Sequence, residues 1–257
     1  MSMRIAKFIA DSGIASRREA ERMLESGIVA VNGVVVRNPV FFVDGTETIT
    51  VSGKIIKPEK GGTKLYMFHK PLNTITTNRD PGGRRTIYDV LPRRYKNLKY
   101  IGRLDFKTTG LLLLTNDGEL ARKMTLPASE LKRVYIAKLY PKKFDKVEPQ
   151  NMAALKDFLS PLSADDSIFD TLRAGAEIDD VKYAPMKIDL MSRYPLNVKL
   201  TLTEGKKNEI RIAFDYIGLP VAKLHRVSYG GIKLGNLPEG KIKELPQKDV
   251  DLLLKSF

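Results

Sequence analysis

The chain has 257 residues, enough for one large domain or a large one beside a small one. It contains no cysteine and only two histidines, His69 and His225, so disulfides and a cysteine-held metal are excluded and a stand-alone metal enzyme is not expected. The formal net charge of +14 favours a polyanionic partner. No apolar run approaches the length of a membrane span, and Asp11 interrupts the first hydrophobic stretch too early for a signal-peptide core, so the expectation is a cytoplasmic protein with no membrane partner.

The charge is unevenly spread. Residues 1–53 hold six basic side chains and six acidic ones, whereas residues 54–107 hold fourteen basic and four acidic. The positive field therefore concentrates just before and around Asp105.

In chain order, SRREAERMLESG at residues 16–27 opens with Ser16 and, three residues on, Glu19, the capping-box spacing, and closes with a glycine suited to a helix C-terminus. This predicts a short helix. In VAVNGVVV, Asn32 and Gly33 separate two β-branched runs, a strong hairpin signal, and ETITVSGK reads as a further strand. Helix and hairpin together, with Arg4, Lys7, Ser16, Arg17, Arg18 and Arg22 on the helical part, resemble the S4 RNA-binding domain over roughly residues 3–50. A capped helix would display its arginines at the fixed spacing that backbone phosphates need. The plainer reading of the same residues is a solvated helix face. KIIKPEKGGTK at residues 54–64 lacks apolar periodicity and is expected to be a flexible basic linker. The domains expected are thus 1–53, an S4-like module, and 65–257, a larger α+β domain.

In the larger part, LYMFHKP is a strand stopped by Pro71, GLLLLT a wholly apolar strand, and RVYIAKLY and LNVKLTLTEG alternate with period two. Helices are expected over residues 117–124, 151–159 and 209–217, the last ended by Gly218 and Pro220. Alternating strands separated by short helices argue for an α+β fold on a mixed, mostly antiparallel sheet.

Asp105 lies in a polar segment between two strand-like runs, where a lone aspartate ordinarily caps a turn, here through Thr108 or Thr109. In EIRIAFDYIGL, Ile210, Ala213, Phe214 and Ile217 form the apolar stripe, leaving Arg211 beside it and able to pair with Asp215 one turn on. Tyr135 shares a strand face with Ala137 and Leu139, as a core tyrosine would. Arg79, Arg84 and Arg85 sit in the glycine-containing stretch NRDPGGRRT, either a phosphate-gripping turn or a charged disordered loop.

GRLDFKTTGLLLLTNDGEL resembles the central signature of pseudouridine synthases of the RsuA and RluB type, and HKP with TTNRDPGGRRTIYDVLP, KRVYIAKL and EGKKNEIRIAFDYIGLPVAKLHRVSYGGIKLG resemble their other motifs in the same order. The resemblance implies isomerisation of a uridine in RNA without cofactor or metal, by Asp105 as nucleophile, Tyr135 as base-stacking residue and general base, and Arg211 against the aspartate. An ionised Asp105 needs a cationic neighbour and limited water. Arg103, two residues before Asp105, is read as a phosphate contact or a wedge for the flipped uridine, with Lys70, Thr108, Arg79, Arg84 and Arg85 as further RNA contacts; both histidines are read as structural. HKP stands where NKP is commoner, and Asn208 and Glu209 stand where an arginine and a glutamine are usual, which lowers positive charge near the RNA. The implied substrate is ribosomal RNA, free or in an assembling subunit: the DPGGRRT loop leans to 23S, with 16S as the alternative, acted on by a monomer. The competing class is a non-catalytic assembly factor. A carbohydrate glycosidase would want a second carboxylate, and no acidic motif stands out beside Asp105.

Overall fold

In a computed structural model of the chain, residues 2–57, 62–141, 167–193 and 195–255 are described. They form two compact units, Met1–Lys64 and Leu65–Phe257.

The first unit contains β1 (Met3–Arg4), α1 (Ile5–Asp11), α2 (Arg17–Glu25), β2 (Val29–Val31), β3 (Val34–Val35), β4 (Phe42–Val43), β5 (Ile49–Val51) and β6 (Lys54–Ile56). Ser16 caps α2 by accepting the Glu19 N–H at 3.3 Å. Asn32 and Gly33 both adopt positive φ, as the two-residue turn joining β2 to β3 requires. Ser52 and Gly53 repeat that turn between β5 and β6, completing an antiparallel sheet of order β3-β2-β5-β6. Helix α1 was not expected: it is seven residues long and starts at Arg4 with no side-chain cap, so it leaves little local signal. Its Ile5, Phe8 and Ile9 pack with Leu24, Val29, Val43 and Ile49 into this unit's own core. The linker expected over 54–64 also needs correction. Residues 54–56 are strand β6, and the buried Ile56 belongs to the core.

The second unit adds β7 (Leu65–Lys70), α3 (Ile87–Val90), β8 (Lys99–Ile101), β9 (Thr108–Thr115), α4 (Gly118–Thr125), β10 (Arg133–Leu139), α5 (Asp170–Ala174), β11 (Ala176–Ile178), β12 (Val181–Tyr183), β13 (Lys187–Arg193), β14 (Leu196–Leu202), α6 (Glu209–Tyr216), β15 (Val221–Tyr229), β16 (Ile232–Lys233), β17 (Ile242–Glu244) and α7 (Gln247–Leu254). Its main sheet runs β13-β14-β10-β15-β9-β7-β17, antiparallel except where β15 lies parallel to β9. The mixed, mostly antiparallel α+β architecture is the one expected. The helix expected over 151–159 lies outside the described residues.

The leucine block of β9 is apolar on both faces because both faces are covered. Leu112 and Leu114 join one core with Tyr135, Ala137, Phe214 and Leu224, whereas Leu111 and Leu113 join a second with Leu120, Met124, Tyr229 and Val250. Each fully buried leucine contributes about 1.5 to 3 kcal/mol relative to exposure. This two-sided burial makes β9 a rigid base for the loop that precedes it. Asp117 caps α4, accepting the N–H groups of Glu119 and Leu120, and Ile210, Ala213 and Phe214 seat α6 on the first core.

Candidate active site

Four strands place one row of residues side by side: Tyr135 on β10 pairs with Arg226 on β15, Arg226 with Gly110 on β9, and Gly110 with Lys70 on β7. Only glycine fits at position 110. Its φ is +108°, and an added Cβ would lie 2.3 Å from the Arg226 carbonyl oxygen. Above this row opens a cleft of about 710 Å3 whose lining includes Arg103, Asp105, Thr108, Tyr135, Arg211 and Arg226.

Asp105 sits in the loop between β8 and β9, and the loop is pinned on both sides. The buried Leu104 exchanges hydrogen bonds with Thr76, whose hydroxyl donates to the Leu104 carbonyl at 2.9 Å and accepts its N–H at 3.2 Å. On the other side the Thr108 N–H donates to the Asp105 carbonyl at 3.0 Å. The backbone at 105 is therefore fixed while the side chain is exposed at the cleft mouth. This corrects the expectation of limited water: in the free protein nothing shields the carboxylate. A second cavity of about 760 Å3, lined by Phe106, Lys107, Ile178 and Tyr216, has Asp105 and Arg211 in its wall as well.

Arg211 lies on α6 in the same cleft, and the negative charge of Asp105 acts on it, yet no ion pair joins the two among the described residues. Its guanidinium donates to the Lys107 carbonyl at 2.8 Å and the Val221 carbonyl at 2.9 Å, and its buried Nε has no partner. It clamps the loop that follows Asp105 to the start of β15. Burial lowers its pKa, opposed by Asp105. The alternative pairing with Asp215 is likewise not made. Tyr135 is 7 % exposed within the first core, as a core tyrosine is, and it also lines the cleft.

Lys70 is no RNA contact. It is fully buried, and its ammonium donates to the Thr108 carbonyl at 2.7 Å and the Pro71 carbonyl at 3.0 Å. Desolvation brings its pKa down to about 8, with the charges of Asp105 and Glu239 opposing the fall. A strand lysine between two apolar layers has nowhere else to go. Thr108 is also buried, but its hydroxyl is unpartnered and faces the cleft lining.

The arginine-bearing turn is ordered rather than loose. Asp80 accepts the Arg84 backbone N–H at 2.8 Å, Nε at 2.9 Å and Nη2 at 2.9 Å, and these bonds hold its carboxyl down at about 2. Arg84 is thus paired with Asp80 while still exposed, and Arg79 and Arg85 are the other exposed arginines of the turn. In the first unit Arg4, Arg17, Arg18 and Arg22 are exposed, Lys7 pairs with Asp11 at 3.4 Å, and Ser16 is occupied as the cap of α2. His69 donates to the Leu237 carbonyl at 2.8 Å, and His225 meets the Thr109 hydroxyl at 2.8 Å. Burial and the adjacent His69 ring push the His225 pKa down.

The sequence reading did not single out the buried Arg226 or the half-buried Glu204, and it took the buried Glu209 for a charged group. Glu209 is 4 % exposed, and burial, then the facing carboxyl of Glu204, push its pKa up to about 8. Burial raises Glu204 too, but hydrogen bonds from Glu209, Lys206 and the Ala184 N–H outweigh it and leave its pKa lowered. Glu209 is thus held toward its neutral form, so it reduces the positive field less than its residue type suggests. Among the described residues, Thr108 Oγ1, Arg211 Nε and Arg226 Nη2 are buried without a hydrogen-bond partner, and Glu209 Oε1 has none but the facing Glu204 carboxyl. All four residues line this cleft. Native proteins satisfy nearly all such groups, so their concentration here singles this cavity out as the candidate site.

A fixed carboxylate above buried cations, in a strongly basic chain, fits an enzyme acting on a polyanion. Comparison gives the class: the chain belongs to the RNA pseudouridylate synthase family, whose model matches residues 64–216, and an S4 domain model matches residues 3–49. An uncharacterized RNA pseudouridine synthase of Rickettsia conorii is 37% identical over 251 residues, covering 95% of this chain and 97% of that protein. Ribosomal large subunit pseudouridine synthase B of Bacillus subtilis is 33% identical over 254 residues, covering 97% and 95%. A crystal structure of a pseudouridylate synthase superposes with a TM-score of 0.62 at 25% identity, covering 98% and 99% of the two chains. The chain is an RNA pseudouridine synthase, an isomerase, with an N-terminal S4 domain.

Proposed function

We propose that the enzyme converts a uridine of 23S ribosomal RNA to pseudouridine, with the Asp105 carboxylate as nucleophile toward the extruded nucleotide. The reaction breaks the bond from N1 of the base to C1′ of the sugar, turns the base and forms a bond from C5 to C1′. The hydrogen displaced from C5 leaves as a proton and N1 gains one, so atoms and electrons balance within the substrate. A carboxylate can hold the nucleoside covalently between the two bond changes.

The observation that carries this reading is the pinned backbone at Asp105 beneath a free side chain in a cleft with Tyr135 and Arg211. RNA entering the open cleft expels water, which strengthens the attraction between the carboxylate and the cations behind it. Tyr135 stacks on the extruded base and its hydroxyl is the general base at the sugar. Arg103, exposed on the cleft lining, contacts a phosphate or fills the gap left by the uridine. Arg79, Arg85 and the exposed arginines of the S4 domain hold backbone phosphates. The choice of the large-subunit RNA follows the name of the B. subtilis relative and the arginine-bearing turn.

The test is pseudouridine mapping in ribosomal RNA from cells lacking the protein. A 23S position reverting to uridine supports the proposal. Loss confined to 16S RNA would move the substrate, and an unchanged map would remove ribosomal RNA as the target.

A further inference from the structure

Arg226 is the largest fully buried side chain of the described residues, at 1 % exposure, and it lies beneath the cleft. Burying a guanidinium costs several kcal/mol unless it is paired, and an apolar residue of similar volume would fill the space more cheaply. No carboxylate pairs with it among the described residues. Its Nε donates to the Leu111 carbonyl at 2.7 Å, and its carbon lies 5.1 Å from the Tyr229 ring centre and 5.9 Å from that of Tyr135. Its Nη1 reaches the Tyr135 hydroxyl at 3.4 Å, and Nη2 has no partner.

This geometry is directional. The Leu111 carbonyl fixes the guanidinium plane, Gly110 lets β9 approach the Arg226 backbone closely enough for that bond, and the register opposite Tyr135 turns one N–H toward the phenol oxygen. An N–H aimed at that oxygen occupies one of its acceptor positions and leaves the hydroxyl proton to point elsewhere. A separation of 3.4 Å is long for such a bond, as catalytic hydrogen bonds often are before substrate arrives.

We propose that Arg226 is a positioning residue of the isomerisation, acting through Tyr135 by orienting its hydroxyl toward the sugar of the bound nucleotide. The inference rests on the role given to Tyr135 in the proposed function. Arg226 itself stays beneath the cleft and touches no part of the RNA backbone, so its removal alters turnover and not RNA affinity.

The test is a double-mutant cycle on the full-length enzyme, following release of the C5 hydrogen from ribosomal RNA isolated from cells lacking the protein. Arg226→Gln is expected to lower kcat by about 10- to 100-fold with KM changed less than about threefold, and Arg226→Lys to recover part of the loss. In a Tyr135→Phe background the same replacement should have little further effect, because the hydroxyl it orients is gone. Independent, multiplying losses would overturn the inference while leaving Tyr135 in its role. A fully active Tyr135→Phe would overturn both. Should Arg226→Gln fail to fold, Arg226→Lys carries the cycle, since it keeps a cation but loses the fixed plane; full activity from it would overturn the proposal.

Discussion

The basic residues of the S4 domain and those beneath the cleft are arranged in opposite ways. In the S4 domain Arg17, Arg18 and Arg22 stand exposed on a capped helix, in a segment whose acidic and basic residues balance. In the catalytic unit Lys70 and Arg226 are buried, held by backbone carbonyls, and aligned through Gly110 with Tyr135. Exposed cations are screened and interchangeable, and they suit gripping a polyanion at many points. Buried cations in fixed planes are costly and specific, and they suit orienting reacting groups.

The sharpest way to break this contrast is at the strand contact that permits it. Gly110→Ala places a methyl group 2.3 Å from a backbone oxygen at positive φ, and should cost more than about 3 kcal/mol, read as a lowered denaturation midpoint with activity lost in parallel. An unchanged midpoint would mean that β9 and β15 are not packed as described. On the exposed side, replacing Arg17, Arg18 and Arg22 together by alanine should leave turnover at saturating RNA intact. The slope of log affinity against log salt should flatten by about 2 to 3. An unaltered slope would remove those arginines from the RNA interface.

A third effect concerns pH. A folded Glu209 with its pKa raised from 4.5 to about 8 binds a proton that the unfolded chain has released, so it stabilises fully below about 4.5 and loses that contribution as pH rises through 8. Glu209→Gln keeps a hydrogen-bond donor toward Glu204 without titrating. Its melting temperature should exceed that of the parent at pH 8.5, and the difference should disappear near pH 5. Parallel pH curves for the two proteins would refute the shared proton.

What the sequence disclosed was local. The hairpin at Asn32 and Gly33, the cap at Ser16, the leucine strand and the helix at Glu209–Tyr216 each carry their cause within a few residues. β6 escaped because three residues with a single inward Ile56 show no periodicity, and α1 because it lacks a side-chain cap. The row of Lys70, Gly110, Arg226 and Tyr135 comes from pairing between distant strands, which composition cannot show. Lys70 thus reads as an RNA contact, and nothing local singles out Arg226. The motif likeness brought Asp105, Tyr135 and Arg211 to one cleft, but the free carboxylate and the backbone bonds of Arg211 depend on side-chain geometry.

The central claim is that one exposed carboxylate on an immobile loop carries the chemistry. Asp105→Asn preserves shape and removes the charge, so RNA affinity should stay within about threefold of the parent while pseudouridine formation falls by at least about a thousandfold. Product formation within about tenfold of the parent would contradict it.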